Sequence, residues 1–277
     1  MTWEETISYI KNQDNMKKLV LEAYYDDPLI GAAERYYHSS EWVELKKIIR
    51  DKKGKILDVG AGRGISSYAF AKDEFEVYAL EPNKSSIVGS GAIKKLSEEN
   101  FLNIQVKNGI SESLPYEDSY FDIVFVRALL HHTENLNKSC SEFYRVLKPG
   151  GMLIALREHI ISKSSDIDIF FQVHPLHKYY GGENAFVLSD YIQSFIQTGF
   201  MIDKIIKPLE NPINYSPKTK SDLINEIAII INQKTFISKK VIQIILNTRA
   251  GWALFIGLVN LLDNRPGRLY SFVCIKT

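Results

Sequence analysis

Residues 55–64 read Lys-Ile-Leu-Asp-Val-Gly-Ala-Gly-Arg-Gly, with glycine at 60, 62 and 64 directly behind an apolar run. No other stretch constrains the fold as much. An apolar run closed by spaced glycines reads as a buried strand turning sharply into a helix. Glycine accepts the left-handed backbone of such a turn and leaves room for a ligand. The turn's N–H groups and the helix N-terminus would face a polar or anionic part of that ligand. A dinucleotide turn, G-x-G-x-x-G, would need its third glycine at 65, where Ile65 stands. Glu81 closes the next apolar run, FEVYALE, about twenty residues on, where a carboxylate can accept both hydroxyls of a ribose.

The pattern around this turn is α/β. KILDVG (55–60), FEVYALE (75–81), NIQVK (103–107), FDIVFV (121–126) and MLIALR (152–157) read as strands. Helical patterns separate them at 65–72, 85–98 and 136–147, the last stopped by Lys148-Pro149-Gly150-Gly151. This alternation predicts right-handed βαβ units, and the near-continuous Val/Ile/Leu runs predict strands covered on both faces. Further on, 190–198 reads as a helix, 201–207 as a strand, 219–263 as helices and RLYSFVCIK (268–276) as a last strand. The first fifty residues read as helical. The predicted fold is doubly wound α/β, a mostly parallel seven-stranded sheet with a helical insertion.

Composition narrows the function by exclusion. The chain has 277 residues, 34 basic and 33 acidic, for a net charge of +1. With no basic excess to release counterions, nucleic acid is not an expected partner. Two cysteines, Cys140 and Cys274, make neither a disulfide framework nor a four-cysteine zinc site, and are expected as reduced core thiols in a cytoplasmic protein. The first residues lack a basic, apolar leader. The longest apolar stretch, 250–262, is too short to span a bilayer, so no integral membrane segment is expected.

Five motifs in order carry a family resemblance. They are Asp58–Gly64, Glu81, Asn108–Tyr116 (NGISESLPY), Phe121–Val124 with Leu130-His131-His132, and Leu147–Gly151. The segment 55–157 resembles the class I S-adenosylmethionine (SAM)-dependent methyltransferases of small molecules, in a Rossmann-like fold. The resemblance implies SAM as cofactor, with Asp58, Gly60, Ala61, Gly62 and Gly64 around its methionine part and Glu81 on the ribose. Pro82 and Asn83 would line the adenosine, and Ile110 and Ser111 would flank the adenine. Two positions depart from the family. Ile110 stands where Asp is common, and Arg127 stands where a small polar residue is usual. Arg127 could pair with the SAM carboxylate or an anionic substrate, or be solvated.

The chemistry of such a fold sits beyond the C-terminal ends of the strands. Two strand exits carry candidates for a general base. His131 and His132 follow the fourth strand, with His132 read as structural and His131 as the freer ring. Glu158 and His159 follow the fifth. Residues 174–184, HPLHKYYGGEN, form a long polar connector that would cover the acceptor and supply His174 and His177. A metal set from His174, His177, Glu158 and Glu183 has permitted ligand types but no diagnostic spacing, so no metal is expected.

The expected division is a helical lid over 1–50, a SAM-binding core over 51–210 with an active-site loop at 158–187, a helical insertion over 211–266 and a final core strand over 267–277. Tyr24, Tyr25, Tyr36 and Tyr37 would belong to the lid, and the insertion would close the lid or make a homodimer. The expected activity is methyl transfer to a small polar molecule, most simply a hydroxyl of a sugar or secondary metabolite. N- or C-methylation, and SAM binding without turnover, are the alternatives.

Overall fold

A computed structural model describes residues 1–50 and 52–277. Four helices come first: α1 (Trp3–Lys11), α2 (Lys17–Glu22), α3 (Leu29–Tyr37) and α4 (Ser40–Ile49). The α/β part follows as β1 (Lys55–Val59), α5 (Ile65–Lys72), β2 (Glu76–Leu80), α6 (Ser90–Glu99), β3 (Ile104–Lys107), β4 (Phe121–Arg127), α7 (Leu136–Val146) and β5 (Leu147–Ile161). Then come α8 (Ile167–Val173), α9 (His177–Tyr180), β6 (Phe186–Val187), α10 (Leu188–Thr198) and β7 (Phe200–Ile206). The chain ends with α11 (Pro212–Tyr215), α12 (Lys220–Lys234), α13 (Lys239–Asn247), α14 (Arg249–Leu262) and β8 (Arg268–Lys276).

The sheet runs β3-β2-β1-β4-β5-β8-β7, seven strands as expected, and the two-residue β6 pairs with β5 as an eighth. β8 is antiparallel to both of its neighbours, and the pairs from β3 to β5 are parallel. The chain winds outward from β1 to one side and from β4 to the other, so the crevice for a ligand lies at the C-terminal ends of these two strands.

Three elements differ from the sequence expectation. β5 is far longer than 152–157. Leu147 pairs with Phe121 and Met152 with Ile123, so the Pro149-Gly150-Gly151 turn is a bulge inside the strand. At its other end β5 continues because Glu158, His159 and Ile160 pair with Tyr270, Leu269 and Arg268 of β8. Helix α6 starts at Ser90, not Ser85. The Ser85 hydroxyl accepts the N–H groups of Ile87 and Val88, so the chain turns there instead of starting the helix. The connector at 158–187 is largely regular structure.

The expected lid over 1–50 divides in two. Ala32, Tyr36, Trp42, Leu45 and Ile49, from α3 and α4, are buried against Ile56, Phe70, Val77, Ile123 and Phe125 and form a layer of the sheet core. Tyr24 joins that core. Only α1, α2 and Tyr25 lie over the crevice, packed on Val88 and Leu176. Helices α12 and α13 pack on one another through Ile224, Ala228, Ile242 and Leu246, with Trp252 and Phe255 of α14 against them. They leave Leu254, Leu258 and Leu261 on an exposed outer face. No single helix among the described residues is long and apolar enough to cross a membrane. The pair α13–α14 passes by composition but bends by 99°.

One carboxylate fastens the N-terminal layer to the sheet. Glu41 of α4 is fully buried and accepts hydrogen bonds from Arg127 Nε (2.6 Å) and Nη2 (3.0 Å) and from the Tyr36 hydroxyl (3.2 Å). Arg157 Nη1 stands 3.5 Å away. The Arg127 charge holds the Glu41 carboxyl below its ordinary range despite burial, which pushes the other way. Glu41→Ala leaves two guanidinium groups without their counter-charge, and a loss of about 3–5 kcal/mol in a urea titration is expected.

Candidate active site

The glycine turn has the conformation its sequence requires. Gly60 has φ +67°, and a Cβ there would stand 2.5 Å from Leu129 Cδ1. Glycine at 60 therefore lets the exit of β1 lie directly on the exit of β4. Glu81 points at this turn. Its Oε2 accepts the Gly62 N–H at 2.8 Å and its Oε1 accepts the Asn83 N–H at 3.0 Å. Burial pushes the Glu81 carboxyl up to about 7, against those two donors.

The remaining residues of this half divide by environment. The Asp58 carboxylate is buried and accepts the Ser66 and Ser67 hydroxyls, both at 2.6 Å, so it fixes the start of α5. Ile110 is exposed, whereas Ser111 is buried with its hydroxyl on Glu112 (2.8 Å) and Ser139 (2.9 Å). Pro82 is exposed and Asn83 half-buried. Arg127 is not open to a ligand as expected, because Glu41 takes its guanidinium. Asn108 was not singled out in the sequence. Its Nδ2 donates to the Glu81 carbonyl (2.8 Å) and to Ser90 Oγ (2.9 Å), tying β2 to α6.

The cover over the crevice is anchored by a second residue that sequence reading passed over. Arg63, inside the glycine turn, is nearly buried. Its Nη1 donates to the carbonyls of Tyr24 (3.2 Å) and Asp26 (3.0 Å), and its Nη2 to Asp27 Oδ1 (2.5 Å). These bonds draw residues 24–27 across the turn. Tyr25 rides on them. Burial first, and then the charges of Glu81 and, more weakly, Glu183, push its phenol up to about 12. Tyr25 therefore feels both the glycine-turn carboxylate and that of the polar cluster. Trp3 of α1 packs on Tyr25 (5.6 Å between ring centres) and on Tyr180 (4.6 Å), joining the N-terminal cover to residues 174–184. A cleft of about 610 Å³ lies on the far side of α1, lined by Ser8, Lys11, Arg63 and Ile87, and no residue of the glycine turn but Arg63 borders it.

Four imidazoles gather here: His131 and His132 after β4, His159 near the end of β5 and His174 after α8. Glu158 is fully buried and does not face the crevice, contrary to the sequence expectation. It accepts the N–H groups of Leu129 and His131 (both 3.1 Å) and lies 2.7 Å from His131 Nδ1. Burial raises its carboxyl. His131, expected as the freer ring, is the buried one, and His132 is exposed with its Nδ1 on the Gly182 carbonyl (2.9 Å). The reversal follows from Glu158, which draws His131 inward. His159 donates from Nδ1 to the Gly267 carbonyl (3.1 Å). Its ring stands 4.6 Å from that of His131 and 5.4 Å from that of His174. Glu183 is at the centre, 3.9 Å from His131, 3.8 Å from His132 and 3.6 Å from His174. His177 is set apart, stacked flat on Phe171 at 4.0 Å.

Burial disfavours the charged form of His131, His159 and His174. It lowers His159 to about 3, His174 to about 4 and His131 well below the ordinary histidine value. Neutral rings carry nitrogen lone pairs, which can accept a proton, a hydrogen bond or a cation.

Residues 57–155 match the family described as "Methyltransferase domain". This central segment is a class I SAM-dependent methyltransferase domain. The methyltransferase segment is 38% identical over 109 residues to the ubiquinone/menaquinone biosynthesis C-methyltransferase UbiE of Neisseria meningitidis, covering 38% of this chain and 43% of that one. It is 30% identical over 116 residues to the uncharacterized methyltransferase YcgJ of Bacillus subtilis, covering 42% and 45%. Phosphoethanolamine N-methyltransferase 2 of Caenorhabditis elegans is 37% identical over 101 residues, covering 36% and 22%. The match thus spans less than half the length of each of these relatives. In three dimensions the crystal structure of YcgJ aligns over 86% of this chain and 97% of its own, with a TM-score of 0.55 and 18% identity, which shows the common fold.

The methyltransferase domain yields a pH prediction through Glu81. Its folded value near 7 exceeds the ordinary 4.5. Folding is therefore favoured most below the ordinary value, and that contribution is lost as pH rises through about 7. A ribose donating two hydroxyls favours the charged form. Affinity for S-adenosylhomocysteine should therefore rise between pH 6 and 8 in calorimetry. Glu81→Gln should flatten this dependence and weaken binding by about 1–3 kcal/mol, the range for a charged hydrogen-bond partner.

Proposed function

We propose that this chain transfers the methyl group of SAM to a hydroxyl of a small polar molecule. The observation that carries the reading is the imidazole–carboxylate cluster of His131, His132, His159, His174 and Glu183, which begins two residues beyond Leu129, the residue that lies against Gly60. A hydroxyl attacking a sulfonium methyl loses its proton as the O–C bond forms and the C–S bond breaks. Imidazoles gathered around a carboxylate give that proton a destination. The cofactor residues proposed are Gly60, Ala61, Gly62 and Gly64 at the methionine, Glu81 at the ribose, and Pro82, Asn83, Ile110 and Ser111 along the adenosine, with Asp58 acting through the start of α5. Residues 1–27 and 174–184 form the proposed cover, which excludes water while the methyl moves.

C- or N-methylation is the second reading, supported by the printed activities of UbiE and phosphoethanolamine N-methyltransferase 2. A homodimer through the outer face of α14 is tested by sedimentation at two concentrations. The activity is tested by incubating the protein with methyl-labelled SAM and a panel of sugar alcohols, phenols, amines and activated-carbon acceptors. Label on oxygen is the expected result, and label only on nitrogen or carbon removes the hydroxyl reading. His174→Ala should cut turnover about 10²–10⁴-fold, the usual range for loss of proton transfer. Its affinity for S-adenosylhomocysteine should be unchanged.

A further inference from the structure

The cluster around Glu183 has an electrostatic defect. Glu183 is buried, and its carboxylate meets the Tyr180 hydroxyl and three histidines but no lysine or arginine among the described residues. A buried carboxylate without a positive partner is costly.

The orientation of the rings points the same way. The Gly267 carbonyl can only accept, so the His159 Nδ1 bound to it carries the proton and Nε2 carries the lone pair. Glu158 accepts N–H groups and occupies His131 Nδ1, which leaves the His131 lone pair on Nε2, the atom 3.9 Å from Glu183. A ring tied at one nitrogen by a carboxylate or carbonyl, with the other nitrogen free, is the outer-shell arrangement of metal-bound histidine. One ligand atom from each of His131, His159 and Glu183 lies within 4.8 Å of the others.

We propose that His131 Nε2, His159 Nε2 and a Glu183 carboxylate oxygen bind one divalent first-row transition metal ion, with a coordination position left open toward the crevice. Two imidazoles and a carboxylate suit Zn²⁺ or Fe²⁺ and not a hard ion such as Ca²⁺. Tetrahedral donors about 2.1 Å from zinc stand about 3.4 Å apart, so the three groups close by roughly 1 Å on binding. The charge of the ion answers the buried carboxylate. Its open position would hold an oxygen of the acceptor, leaving His132 and His174 beside it as the rings free to take a proton. The role at the acceptor rests on the methyl-transfer reading; the binding itself does not.

The test uses the full, tag-free chain stripped with a chelator. Titration with Co²⁺ alone, followed by its visible absorption, and with Zn²⁺ by calorimetry, should show one site per chain. His159→Ala and Glu183→Gln should each weaken it by at least about 100-fold, beyond the roughly 10–100-fold carried by outer-shell partners, which is the loss expected of Glu158→Gln. X-ray absorption of the zinc-loaded wild-type chain should show two imidazoles in the first shell, a readout that needs no variant to fold. No binding by wild type, binding equal in both variants, or a first shell without imidazole overturns the proposal. S-adenosylhomocysteine titrated into the same samples separates the outcomes. If that ligand binds and metal does not, the metal site fails while the methyltransferase reading stands; the reverse leaves the metal site intact.

Discussion

The carboxylate of Glu158 is the constraint on which both halves of the site depend. It lies on β5, yet its bonds go to Leu129 and His131 in the segment leaving β4. Leu129 in turn lies against Gly60. One buried group therefore sets the floor of the glycine turn and the direction of His131 together. The backbone on either side is strained to allow it. Ala128 has φ +51° and Arg157 φ +60°, left-handed values that non-glycine residues adopt at a cost of about 1–3 kcal/mol each. Such strain persists where surrounding bonds over-determine it. The Ala128 N–H donates to the Leu156 carbonyl and the Arg157 N–H to Ser271 Oγ, which secures both positions.

The cofactor half was legible because its signals are local. A strand, a glycine turn, a helix and an acid at the next strand exit fall within thirty residues, and each is dictated by nearby side chains. The helix at 65–72 and the final strand at 268–276 match the sequence pattern residue for residue. The polar cluster was legible only as a set of candidates. His131, His159 and His174 do meet, but the centre is Glu183, and its partners are brought to it by separate elements. Nothing in the string Leu-His-His says which ring turns inward. Glu158 decides that from another strand. For the same reason Arg127 read as a ligand contact, although Glu41, on a helix far away in sequence, already holds it.

The N-terminal residues show the limit of pattern reading in another way. Helices α3 and α4 carry the same amphipathic spacing as α1, so all four read as one lid. The difference lies in what each apolar face meets. Trp42 and Leu45 meet Phe70, Phe125 and the sheet, whereas Ile7 and Ile10 belong to a separate cluster with Val20, Val88 and Leu176. Burial against the sheet makes the first pair part of the folding core. The second pair belongs to a smaller satellite cluster, whose opening costs less.

That satellite cluster joins the two parts of the cover. Trp3 touches Tyr25 over the glycine turn and Tyr180 over the histidines, so a single indole bolts both roofs. Drawing that ring out would loosen the contacts over the glycine turn and over the histidines at once.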